Sequence, residues 1–149
     1  MTAISQLAIL LVEDNLDDVE LIRRAFRPAN VANPIHVVTD GEQALAYLSG
    51  DGEYAHRSRH PLPVLVLLDL KLPRRSGHEV LGWIRARKGL RRLPVAILTS
   101  SRESDDVNRA YDLGVNAYLQ KPVSFEALLE LVRTLNLFWL ILNEKPDLT

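Results

Sequence analysis

Residues 64–73 read Val64-Leu65-Val66-Leu67-Leu68-Asp69-Leu70-Lys71-Leu72-Pro73. Val64–Leu68 is an unbroken apolar run without alternation, which describes a strand covered on both faces, as in a parallel sheet flanked by helices. The run ends on an acid, Asp69. The same grammar recurs on either side. Leu7–Val12 is apolar throughout and stops at Glu13-Asp14-Asn15. Asn15 is placed to cap a helix, and Asp18 three residues on completes a capping-box-like pair. Val19, Ile22 and Phe26 then recur at helical spacing, and Pro28 ends that helix. Ile35–Thr39 predicts a second strand, and Asp40-Gly41 turns the chain into a helix carrying Ala44, Leu45 and Leu48. Gly50–Pro63, rich in Gly, His, Arg and Pro, predicts a long surface loop. A helix over about 77–88 presents Val80, Leu81 and Ile84, with Gly89 as its stop. Pro94 opens the run Val95–Leu98, which ends on Thr99, and a weaker helix over 105–113 stops at Gly114. Ala117–Gln120 is a short fifth strand ending at Lys121-Pro122. Ser124 is placed to cap a last helix whose Leu128, Leu131, Leu135, Phe138 and Leu142 step by three and four.

Strand and helix thus alternate five times. Strands joined through single helices must be parallel, with right-handed crossovers and helices on both faces of the sheet. The expected fold is a doubly wound α/β sandwich, whose ligands bind outside the carboxyl ends of the strands. The chain of 149 residues suits one domain of ordinary size. Its 47% apolar and 25% charged residues are those of a globular protein, not a disordered one. The absence of cysteine excludes disulfides, thiolate metal sites and cysteine nucleophiles. A formal charge of −1 gives no global drive toward nucleic acid or anionic membrane. No apolar run approaches the roughly 20 residues that span a bilayer, and the first residues do not form a secretory signal. A cytoplasmic protein is expected. The near-zero charge conceals an acidic stretch, Glu13 to Glu20, and a basic one, Arg85 to Arg92.

The strand ends bring three carboxylates (Glu13, Asp14, Asp69), the hydroxyl of Thr99 and the ammonium of Lys121 to one edge of the sheet. Carboxylates crowded together raise one another's pKa unless a cation is present. A set of hard oxygen donors without histidine suits Mg²⁺. Beside Lys121 and Thr99 such a cluster is suited to hold a phosphoryl group, with Asp69 as the nucleophile that forms an acyl phosphate. Taken singly, an acid at a strand end is more often a helix cap or turn former.

Glu13-Asp14 after strand one, Asp69-Leu70-Lys71-Leu72-Pro73 followed by Gly77, Thr99-Ser100-Ser101 and Lys121-Pro122 together resemble the response-regulator receiver domains of two-component signalling. The resemblance runs from about Gln6 to Leu135. It implies a flavodoxin-like (βα)5 fold with strand order 2-1-3-4-5. It implies a phosphoryl group accepted on Asp69 from a sensor histidine kinase. Asp14, Asp69 and the backbone carbonyl of Lys71 would ligate Mg²⁺, with Glu13 acting through a water. Lys121 would pair with Asp69, Thr99 would bond the phosphoryl oxygen, and Tyr118 would be the switch aromatic. The Lys121-Pro122 peptide would be cis. Glu13 departs from the commoner aspartate, and altered metal affinity is expected from it. Lys71 and Ser101 stand where the family tunes the attack of water on the acyl phosphate.

The receiver is expected to span 1–136, with a C-terminal aromatic extension over 137–149 and no effector domain. Leu137–Leu142 is apolar all round if helical. Either it docks on its own chain or it builds a homodimer from the fourth helix, fifth strand and fifth helix, with Tyr118, Leu135, Phe138, Trp139 and Leu142 at the interface. The tail and the long loop look similar to the small response regulators that partner bacterial phytochromes. The basic helix end reads as solvated and suits the negative end of a helix dipole, with no nucleic-acid partner indicated. His36, His56, His60 and His78 share no ligand spacing and read as surface or incidental residues. Trp83 reads as half-buried packing. A haloacid-dehalogenase-type phosphatase would need a general acid at Lys71, which a lysine does not supply. A flavodoxin-like electron carrier would not place Glu13-Asp14-Asn15 in a phosphate loop. A constitutive receiver-like scaffold remains as the third alternative. The chain is expected to be a phosphoacceptor, not an enzyme.

Overall fold

The computed structural model describes residues 8–26 and 34–122, together with 124, 126, 127, 130, 131 and 133. Five strands, β1 (Ile9–Val12), β2 (Ile35–Val38), β3 (Leu65–Leu68), β4 (Val95–Thr99) and β5 (Ala117–Gln120), alternate with α1 (Leu16–Phe26), α2 (Gly41–Ser49), α3 (Gly77–Ala86) and α4 (Ser104–Asp112). Residues 126, 127, 130, 131 and 133 are helical as well, and the Ser124 hydroxyl accepts from the Ala127 N–H at 3.1 Å, the expected cap. The sheet is parallel throughout, in the order β2-β1-β3-β4-β5. Leu128, Leu135, Phe138, Trp139 and Leu142, and with them the expected aromatic extension over 137–149, lie outside the described residues.

The period of two along each strand divides the core into two layers. Ile9, Leu11, Leu65, Leu67, Ala96 and Leu98 face one side, where they meet Val19 and Ile22 of α1 and Leu131. Leu10, Val12, Val66, Leu68, Val95 and Ile97 face the other, against Ala44, Tyr47 and Leu48 of α2, Val80, Leu81 and Ile84 of α3, and Ala110 of α4. Each fully buried residue of this kind contributes about 1.5–3 kcal/mol, so the central strands dominate stability.

Several local expectations are corrected by tertiary contacts. The third helix ends at Ala86, two residues before the expected Lys88, and Gly89 (φ +92°) lies in the turn beyond its C-cap, Arg87. Arg85 is not merely a solvated helix end. Its guanidinium donates to the carbonyls of Gly114 (2.7 Å), Arg91 (3.1 Å) and Leu93 (2.7 Å) and to Asn116 Oδ1 (2.8 Å). It thereby fastens the α3–β4 turn to the α4–β5 turn. Arg87 stacks on half-buried Trp83, 4.8 Å from the ring centroid.

The long loop is also more tightly held than its composition suggests. Arg57 donates to the carbonyls of Tyr47 (2.7 Å), Leu48 (3.0 Å) and His60 (3.1 Å), fastening the loop to the last turn of α2, and the Tyr47 hydroxyl donates to Pro61 O at 2.8 Å. His36 and His60 are consequently not incidental surface residues. Both rings pack with Tyr47, and His60 also meets Tyr54 edge-on. His78 is buried, its Nε2 3.0 Å from the Asp106 carbonyl.

Gly77 opens α3 where no side chain fits. A Cβ there would lie 2.2 Å from the Asp69 carbonyl oxygen and 2.7 Å from Leu70 Cα. Both obstacles are backbone, so relief requires moving the loop after β3. Gly77→Ala is expected to destabilise the fold by about 1–3 kcal/mol in denaturant titration, the usual range for overpacking at a closed site.

Candidate functional site

The ladder bonds of the sheet continue one residue past the strands and seat the polar groups. Val12 and Leu68 are register partners, and the next residues, Glu13 and Asp69, are fixed by Glu13 N to Val38 O (3.0 Å) and Asp69 N to Val12 O (3.1 Å). Thr99 pairs with Gln120, and Lys121 N then donates to Thr99 O at 2.9 Å. A parallel register therefore delivers residues from distant parts of the chain to one edge. Beyond Asp69 the loop is closed by Gly77 N donating to Leu70 O at 2.8 Å, and Lys71 N points back at Asp69 Oδ1, 3.5 Å away.

Glu13 and Asp69 are buried, at 1% and 8% exposure, whereas Asp14 is exposed. Carboxylate oxygens of Glu13, Asp14 and Asp69 all lie within 4.8 Å of one another. This all-oxygen group, with Asp14 exposed, fits a hard divalent cation of the kind that keeps several waters. The expected metal-ligating side chains are thus brought together.

Lys121 is the counter-charge. Its Nζ donates to Glu13 Oε1, to Asp18 Oδ2 at 2.9 Å and to Asp69 Oδ2 at 3.1 Å. Burial opposes the charge on Lys121, but the hydrogen bonds to Glu13 and Asp18, with the negative charges of Asp69 and Glu13, outweigh it and hold the ammonium above the ordinary lysine pKa. Burial pushes the Glu13 carboxyl up from 4.5 to about 7, opposed by the Lys121 hydrogen bond and reinforced by the Asp69 charge.

Asp18 is the pocket residue that sequence reasoning missed. Its position three residues after the Asn15 cap led to its reading as half of a capping box. Asn15 Oδ1 does accept from Asp18 N at 3.1 Å. The reciprocal bond is absent from the pair: Asn15 N donates to Glu13 Oε2 at 3.2 Å, and the Asp18 carboxylate turns to Lys121.

Thr99 is buried at 1% exposure, and its Oγ1 accepts from Ser101 N at 3.3 Å. Tyr118 is half-buried and its hydroxyl donates to Ser101 O at 3.1 Å, joining β5 to the loop that follows Thr99. Ser101 Oγ in turn donates to Asp106 Oδ2 at 2.6 Å. The Lys121-Pro122 peptide is cis, as expected.

The family described as response regulator receiver domain matches residues 9–133. The chain is 45% identical over 141 residues to the probable methanogenesis regulatory protein FilR2 of Methanothrix harundinacea, covering 93% of this chain and 86% of that one. It is 39% identical over 132 residues to response regulator Rcp1 of Synechocystis, covering 89% and 88%. The crystal structure of the Mn²⁺-bound form of Rcp1 superposes with a TM-score of 0.73 at 38% identity, covering 94% and 99%. The bacteriophytochrome response regulator RtBRR superposes with a TM-score of 0.82 at 45% identity, covering 95% and 85%. With the parallel sheet, its strand order and the acidic edge in agreement, this chain belongs to the response regulator receiver domains, and its homologues include a bacteriophytochrome response regulator.

Proposed function

We propose that the protein is a phosphoacceptor, receiving a phosphoryl group on Asp69 from a sensor histidine kinase, with a bacteriophytochrome as the favoured donor. The observation that carries the reading is one buried carboxylate, Asp69, reached by Lys121 at 3.1 Å and clustered with Glu13 and Asp14. In this reading an Asp69 oxygen attacks the phosphorus, the bond from phosphorus to the donor imidazole breaks, and the ring nitrogen keeps the electron pair. Glu13, Asp14, Asp69 and the Lys71 carbonyl are the residues proposed to hold Mg²⁺, which when bound would neutralise developing charge on the phosphoryl oxygens. That the similar Rcp1 has a Mn²⁺-bound form supports divalent-cation binding in this reading. Lys121 supplies the second positive charge.

Signal output is proposed to run from Thr99 through Ser101 to Tyr118, which already share one hydrogen-bonded loop. The exit is a change of protein contacts at the face of α4, β5 and the last helix, as a homodimer that also uses Leu135, Phe138, Trp139 and Leu142. The receiver is assigned to 1–136 and placed in the cytoplasm, where its kinase acts. Among the described residues no helix is long and apolar enough to cross a membrane. Leu21 is partly exposed on α1 and lines a shallow depression with Asp18, Ile22, Lys121 and Pro122, offering apolar surface beside the acceptor.

Incubation with acetyl phosphate and Mg²⁺ is expected to add the mass of one phosphoryl group, and Asp69→Asn to abolish the gain. A wild-type chain that gains no mass and binds no beryllofluoride would support the constitutive scaffold instead. Lys71→Ala is expected to change the dephosphorylation half-life measurably, since Lys71 stands exposed at the mouth of the acceptor loop.

The Glu13 titration gives a pH dependence of known sign. Its folded pKa of about 7 exceeds the ordinary 4.5, so between these values the folded chain binds the additional proton. The stability due to this group is fully present below about 4.5 and is lost as pH rises through about 7. Cation binding requires the ionised carboxylate. Mg²⁺ affinity measured by calorimetry is therefore expected to rise with pH and level off above about 7.

A further inference from the structure

The Lys121 ammonium has three N–H groups, and three carboxylates receive them. Two of these, Glu13 and Asp69, belong to the cluster suited to a divalent cation, and the third, Asp18, does not. Asp18 reaches the lysine from another element, the first turn of α1, and sits in a fixed place because its own N–H is held by Asn15. It is half-buried, with 29% of its side chain exposed, against 12% for Lys121. Its bond to Nζ, at 2.9 Å, is shorter than that of Asp69, at 3.1 Å.

These facts give Asp18 a different standing from its neighbours. Any cation that takes the oxygens of Glu13 and Asp69 competes with the lysine for them. Asp18 contributes to no such cluster among the described residues, so its hold on Nζ survives that competition. A lysine that lost it would keep a long, unrestrained stem with many rotamers and a strongly hydrated head. Charge-assisted bonds from a preset carboxylate remove that freedom before the phosphoryl group arrives.

We propose that Asp18 is a positioning residue, a carboxylate outside the cation cluster that anchors the Lys121 ammonium beside Asp69 for phosphoryl acceptance. The inference rests on the phosphoacceptor reading above and names a residue beyond its expected set.

The test uses the full chain, with Mg²⁺ and beryllofluoride as the probe of the acyl phosphate state. Asp17 is the control, because it occupies the same first turn and adds the same charge to the helix terminus. Asp18→Ala is expected to weaken beryllofluoride binding about tenfold, the scale of one lost charge-assisted hydrogen bond. Asp17→Ala is expected to leave it within about twofold, a helix-terminus charge effect alone. With Mg²⁺ present to compete for the Glu13 and Asp69 oxygens, the ¹H–¹⁵N signal of the Lys121 ammonium is expected at low temperature in the wild type and in Asp17→Ala, and to vanish in Asp18→Ala. Wild-type binding with unchanged affinity in Asp18→Ala, an equal loss in Asp17→Ala, or an ammonium signal that persists in Asp18→Ala would each overturn the anchor while leaving Asp69 as acceptor. A wild type that binds no beryllofluoride would remove the phosphoacceptor reading and this inference with it.

Discussion

One ammonium group holds the carboxyl edge of the sheet together. Glu13 and Asp69 are buried, Asp18 is half-buried, and all three carboxylates share Lys121. Without that positive charge, carboxylates this close would repel and be driven toward protonation. Burial, with the Asp69 charge added to it, pulls the Glu13 carboxyl upward despite its bond to Lys121. The pocket is short of positive charge by construction, and that shortage is what invites a cation and makes the edge responsive to one.

The rest of the architecture keeps those groups from relaxing apart. Parallel pairing ends β1 and β3 in register, so Glu13 and Asp69 cannot slide relative to each other without breaking the ladder. The turn after β3 is pressed onto Gly77, and Pro73 O accepts from Gly41 N at 3.3 Å, tying it to the start of α2 as well. At the far end of the sheet, Arg85 joins two turns through four hydrogen bonds. The acidic and basic stretches that cancel in the net charge thus do separate jobs. The first concentrates charge at the working edge, and the second includes a staple that closes the opposite one.

Most of the site was legible from residue type and position. Unbroken apolar runs ending on Glu13, Asp69, Thr99 and the Lys121 segment lie where a doubly wound sheet puts its ligands. Three features were not legible, each for a physical reason. Asp18 fits a capping pattern, and local spacing is blind to a lysine more than a hundred residues away. His36, His60 and His78 have no motif, and their packing with Tyr47, Tyr54 and the Asp106 carbonyl arises only once loop and helices are placed. Gly89 resembles a helix stop, yet the chain leaves the helix earlier, where the Arg87 N–H returns to Ile84 O and Arg85 draws the following turn inward.

By itself the sequence determined the element order, the parallel two-layered sheet and the identity of the acidic edge, because apolar periodicity and chain direction act locally and allow few topologies. The tertiary structure alone decided how the charges at that edge are shared. Which carboxylates reach Lys121, which stay open to a cation and which loop Tyr118 joins depend on distances between residues far apart in the chain. Coulomb and hydrogen-bond energies respond to those distances, whatever the order in which the residues are strung.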